Sequence, residues 1–160
     1  MADPLLISTL IVLTAQIAGK ACELYSTAKD APESVREIQD EMEELNLIFC
    51  QIRLLVGSTK EPASKDRMEM ISIHHLMTTL RGCVLVCSNL DQKLDEVRGL
   101  RQGVTTLHPK NTAQKGASTV RVLHDRIKWA LWTSDEVAEI LEDLQRHKLS
   151  LNLMLNIIQW

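Results

Sequence analysis

The sequence predicts an all-α fold: a helical bundle of four long helices and one short helix, up-and-down in sense. Three observations lead there. Apolar residues recur in steps of three and four over long stretches, the repeat of one helix face. No stretch shows the strict alternation of a half-buried strand. Aromatic residues make up only 3% of the 160 residues, so aliphatic side chains must fill the core, which suits helices packed on helices. A chain of this length forms one domain, residues 1–160, and buries enough surface to need no staple.

The first helix is expected from Pro4 to about Ala28. Asp3 caps it and Pro4 suits its first turn. Leu6, Leu10, Leu13, Ile17, Ala21, Leu24 and Ala28 form a stripe, widened by Ile7, Ile11, Ala18 and Tyr25. No charge lies between Asp3 and Lys20. This run is short for a bilayer span of about 20 residues, and Ser8, Thr9, Thr14 and Gln16 interrupt it. A secretory signal fits poorly, because the first charge is negative. The plainest reading is a buried bundle helix, apolar on nearly all sides, that is central or touches something besides its own bundle.

"KDAPES" breaks the chain and starts the second helix, which stops at Gly57. Val35, Ile38, Met42, Leu45, Phe49, Ile52 and Val56 are its seam, and "EIQDEMEE" is a solvated acidic face. "GSTKEPASKD" is a loop. The third helix is expected from Arg67 to Arg98, with Ile73, Met77, Leu80, Val84, Cys87, Leu90, Leu94 and Val97 facing inward and Gly82 placed for a close helix crossing. Residues 99–118 read as an irregular connection, mildly basic through Arg101, Lys110 and Lys115. A short helix, about Thr119 to Leu131, buries Val120, Leu123, Ile127 and Leu131. Thr133 and Glu136 have capping-box spacing and open the last helix. Val137, Ile140, Leu144, His147, Leu151, Met154 and Ile158 line its inner side. It reaches Trp160 without a stop signal, as expected of a domain that continues into a longer chain.

Chemistry is sparse. Net charge is -3, with no basic run to hold nucleic acid. Cys22, Cys50, Cys83 and Cys87 are expected as reduced core or half-buried thiols of a cytoplasmic protein. Cys83 and Cys87 would need two further ligands to bind a metal, and adjacent His74 and His75 point to different faces. No phosphate loop, nucleophile elbow or zinc helix motif occurs, and no enzyme activity or cofactor is expected.

Two segments carry a family likeness. They are "MADPLLISTLIVLTAQIAGKACELYSTAKDAPESVREIQDEMEELNLI" and "RIKWALWTSDEVAEILEDLQRHKLSLNLML". The second holds Lys128, Trp129, Asp135, Glu136, Lys148, Leu151, Leu153 and Leu155 in the positions of a Leu-Lys-Trp element, an acidic helix start and a Lys-x-x-Leu-x-Leu-x-Leu ending. The chain resembles the N-terminal helical domain of fungal STAND receptors, the NLR-like proteins of the HeLo-like group. The resemblance implies an effector domain of regulated cell death or heterokaryon incompatibility. Such a domain precedes a nucleotide-binding module and repeats, self-associates, and moves from the cytoplasm to plasma-membrane lipid on activation. On this reading Leu5, Leu6, Ile7, Leu10, Ile11, Val12 and Leu13 are the membrane-targeting residues. The alternative is a homotypic or adaptor bundle without membrane action, with Trp132 and Trp160 as interface anchors.

Overall fold

The computed structural model describes residues 4–28, 31–57, 73–105, 132 and 135–159. Its four helices are α1 (Pro4–Thr27), α2 (Glu33–Gly57), α3 (Ile73–Thr105) and α4 (Asp135–Gln159). Among the described residues there is no strand, so the fold is all-α. The short helix expected at 119–131 and the start of the third helix at 67–72 lie outside the described residues.

α1 lies against α2 and α3, and α4 lies against the same two helices. Cross-helix contacts give the relative directions. Tyr25 meets Glu33, and Asn46 meets Ile11 and Thr14, so α1 and α2 run antiparallel. Lys20 meets Asp91 and Asp95 while Glu23 meets Arg98, so α1 and α3 run the same way. Lys93 meets Glu136 and Gly82 faces His147, so α3 and α4 oppose each other.

The core follows the steps of three and four, with shifts in two helices. In α1 the fully buried positions are Ile7, Leu10, Thr14, Ile17 and Ala21, so Ile7 and Thr14 take the places expected of Leu6 and Leu13. Thr14 is tolerated there because its hydroxyl donates to the Leu10 carbonyl at 2.8 Å and accepts from Asn46 at 2.9 Å. In α3, Leu76 and Cys83 are buried beside Leu80, Cys87, Leu90, Leu94 and Val97, while Met77 and Val84 are half-buried. Cys22 is exposed, contrary to the expectation that all four thiols are at least half-buried. Burial first, then the neighbouring Cys87, pushes the Cys83 thiol up to about 12; burial, then Asp91, does the same to Cys87. α3 also continues to Thr105, through Gly99 and Gly103, where a connection was expected. A glycine costs a helix only about 1 kcal/mol. The packed turn at Val97 and the Arg98–Glu23 ion pair hold the backbone that enters this stretch.

Gly82 marks the α3–α4 crossing. A Cβ there would stand 2.5 Å from His147 Cε1, so the imidazole occupies the space that any larger residue would need. In an ordinary helix, Gly→Ala adds about 1 kcal/mol. Here Gly82→Ala is expected to destabilise the parent but to stabilise a His147→Ala background. Urea denaturation of the four variants reads this coupling, and equal effects in both backgrounds would show that the ring swings clear.

A charge-poor half of the bundle as the candidate functional site

The bundle is divided along its axis. A belt of polar contacts marks the boundary. Lys148 lies 2.6 Å from Glu41 and 2.8 Å from Glu44, and His147 covers Gly82. Asn46 donates to the Ile11 carbonyl at 2.7 Å. The charge-poor stretches are residues 4–19, 45–57, 73–90 and 149–159, and in α1 and α3 they run past this belt, to the level of Lys20 and Asp91. Their only charged side chains, with His neutral, are Arg53 and Arg81. Every described Asp and Glu belongs to the other half.

Apolar exposure follows the same division. Leu5, Val12, Leu47, Leu54, Leu85, Leu149, Leu153 and Ile157 are large apolar residues open to solvent, and all lie in the charge-poor half. Among the described residues, Tyr25 alone of this kind lies in the charged half. Scattered surface leucines are ordinary, whereas their confinement to one half that lacks carboxylates is informative.

α1 contributes most to this half. It spans 24 residues and holds an 18-residue window of mean hydropathy 1.7, long and apolar enough to cross a bilayer by length and composition. The apolar run counted from sequence stopped at Lys20; the helix carries apolar character further. Its seven candidate membrane residues fall on different sides. Ile7 and Leu10 are fully buried, Leu6, Ile11 and Leu13 are half-buried, and Leu5 and Val12 are exposed.

Two kinds of contact hold α1. At its C-terminal half Lys20 sits 2.8 Å from both Asp91 and Asp95, and Glu23 lies 2.8 Å from Arg98. At its N-terminal half the ties are apolar burial and the Asn46 hydrogen bonds. Exposed ion pairs contribute at most about 1 kcal/mol each. Burying Ile7, Leu10, Ile17 and Leu24 contributes about 2 kcal/mol each. Packing therefore holds α1 in place, and the ion pairs fix its register.

Trp132 does not supply an exposed anchor. It is 1% exposed, and its indole N–H donates to Ser34 Oγ at 3.0 Å beside the start of α2. Trp160 lies outside the described residues. His74 and His75 are both exposed, with His75 Nε2 3.4 Å from Ser150 Oγ. Among the described residues no cluster of His, Cys, Asp or Glu is arranged to hold a metal ion.

The belt sets the pH response. Burial works against the charge on Lys148, but hydrogen bonds and attraction to Glu41 and Glu44 outweigh it and raise its pKa above the usual 10.5. That stabilisation is complete below the unfolded value and is lost as pH rises through the folded one. Burial, opposed by Asp143 and aided by Arg146, holds His147 below 6.5. The unfolded chain therefore takes up this proton first, and stability falls as pH drops below 6.5. Melting temperatures across pH are expected to show the acid loss shrink in His147→Gln and the alkaline loss shrink in Lys148→Met. Unchanged profiles would place the responsible groups elsewhere.

No protein-family model, curated protein or solved structure matches the chain.

Proposed function

We propose that the chain is the N-terminal effector domain of a fungal NLR-like receptor, acting in regulated cell death or heterokaryon incompatibility. It works without enzymatic chemistry, by self-association and by membrane targeting through α1. It rests in the cytoplasm, is recruited to plasma-membrane lipid, and hands its state to downstream domains of the same receptor. One observation carries the reading: residues 4–19 have no charge on any face, including the face turned to solvent. A soluble helix normally carries its charge on that face. The cross-helix contacts support an up-and-down arrangement of the four long helices.

Releasing α1 would expose Ile7, Leu10, Ile17 and Leu24, at a cost of roughly 8 kcal/mol. Only surroundings of similar apolar extent offset that cost. A bilayer offers them, and interfacial binding gains from buried apolar area. The exposed Leu47, Leu149 and Leu153 favour a second reading, a homotypic bundle that assembles without lipid, because they lie outside α1.

Dye release from anionic liposomes tests the first reading. Removing residues 1–20 would take Ile7, Leu10 and Ile17 from the core, and Leu10→Glu would bury a charge, so both changes would unfold the bundle. Leu5→Glu and Val12→Glu alter exposed positions and leave the fold intact. The parent is expected to release dye, and the double variant to lose at least about tenfold in release at equal concentration. Equal release by a folded double variant would remove α1 from the mechanism.

A further inference from the structure

The exposed apolar residues of α1 and α2 form a matched set. The two helices lie side by side and antiparallel, with Asn46 level with Ile11 and Thr14. Counting along both at about 1.5 Å per residue puts Leu47 level with Val12 and Leu54 level with Leu5. Each helix repeats its pair after seven residues, so each pair lies on one strip of its helix. These four side chains are 59–76% exposed. Ser8, Ala15, Gln16 and Gln51 are exposed around them and carry no charge.

We infer that this α1–α2 face binds a second copy of the chain in a two-fold dimer whose axis runs along the bundle. The division of charge selects that axis. An isologous interface sets one patch against itself. A two-fold axis perpendicular to the helices at mid-bundle would lay the charge-poor half of one copy on the acidic half of the other, and one centred on the charge-poor half would leave the rest of α1 outside the contact. An axis parallel to them keeps like levels together. It sets α1 of each copy against α2 of the other, Val12 opposite Leu47 and Leu5 opposite Leu54. The acidic residues Asp40 and Glu43 of α2 then face the uncharged stretch around Gly19 and Ala15 of the second copy, with no like charge opposed. Arg36 comes level with Glu23 of the second copy, an opposite charge.

Area supports a dimer of this kind. Helices about 10 Å wide, with about 24 Å of α1 and about 20 Å of α2 in the charge-poor half, present roughly 440 Å² per copy. The full length of α1, about 36 Å, raises the total over both copies to about 1,100 Å², just above the roughly 1,000 Å² a specific interface needs.

The inference rests on the self-association in the proposed function, not on the membrane step, and the measurement that decides it contains no lipid. Sedimentation equilibrium of the full chain up to about 100 µM is expected to show a monomer–dimer equilibrium. Val12→Lys and Leu47→Glu are each expected to weaken it by about tenfold or more. Mixing the two variants is expected to restore dimers, because Lys at 12 of one copy then faces Glu at 47 of the other. Circular dichroism confirms that each variant is folded. A parent that stays monomeric, single variants that dimerise as the parent does, or a mixture that fails to recover would overturn the proposed interface. A monomer that still releases liposome dye would overturn the dimer while leaving the membrane reading intact.

Discussion

A charged side chain is stable in a protein only where water or an opposite charge reaches it, and among the described residues this bundle concentrates nearly all its charge in one half. The other features follow from that segregation. In the charged half, ion pairs join neighbouring helices: Lys20 with Asp91 and Asp95, Arg98 with Glu23, Lys93 with Glu136. Among the described residues of the charge-poor half no such pair holds the helices in register. Packing and the Asn46–Thr14 hydrogen bond take that role, and leucines occupy outward positions where the other half carries carboxylates. Register is fixed at one end by electrostatics, and cohesion at the other by burial.

Much of the fold was legible in the sequence. The inward seam of α2 holds from Val35 to Ile52, because six apolar residues in steps of three and four admit one buried face. α1 was harder to read for the opposite reason. Apolar on nearly all sides, it offers several stripes of similar strength, and its neighbours chose Ile7 and Thr14 over Leu6 and Leu13. Asn46 made Thr14 acceptable, and no local pattern announces a partner 32 residues away. The extension of α3 to Thr105 was missed because glycine lowers helix propensity without forbidding it. Trp132 is an interface candidate by residue type, yet it is buried, with its indole N–H on Ser34 beside the start of α2.

The candidate site was written in the chain in a form that helix-by-helix reading overlooks. Charge is absent from 4–19, dense from 20 to 44, nearly absent from 45–57 and 73–90, dense from 91 to 105 and from 135 to 148, and absent again from 149–159. Each block boundary falls inside a helix, and the charged half alternates between C-terminal and N-terminal ends from one helix to the next. Alternation of that kind gathers charge at one end only if successive helices reverse direction. The charge map thus carries topological information that the apolar seams do not.

The two roles assigned to α1 compete for the same side chains. Leu5 and Val12 are exposed while Ile7 and Leu10 are buried, so α1 meets the core with one strip and solvent with another. A second copy seated on the outer strip would cover α1 on both sides and add its burial to the roughly 8 kcal/mol that keeps the helix in place. A bilayer must displace both covers before it can take the helix. Self-association through α1–α2, as proposed, would therefore stabilise the resting state, and a membrane-engaged assembly would have to use other surfaces. The outward strip Leu149, Leu153 and Ile157 of α4 is apolar, carboxylate-free, and borne by a helix that does not share the α1–α2 face.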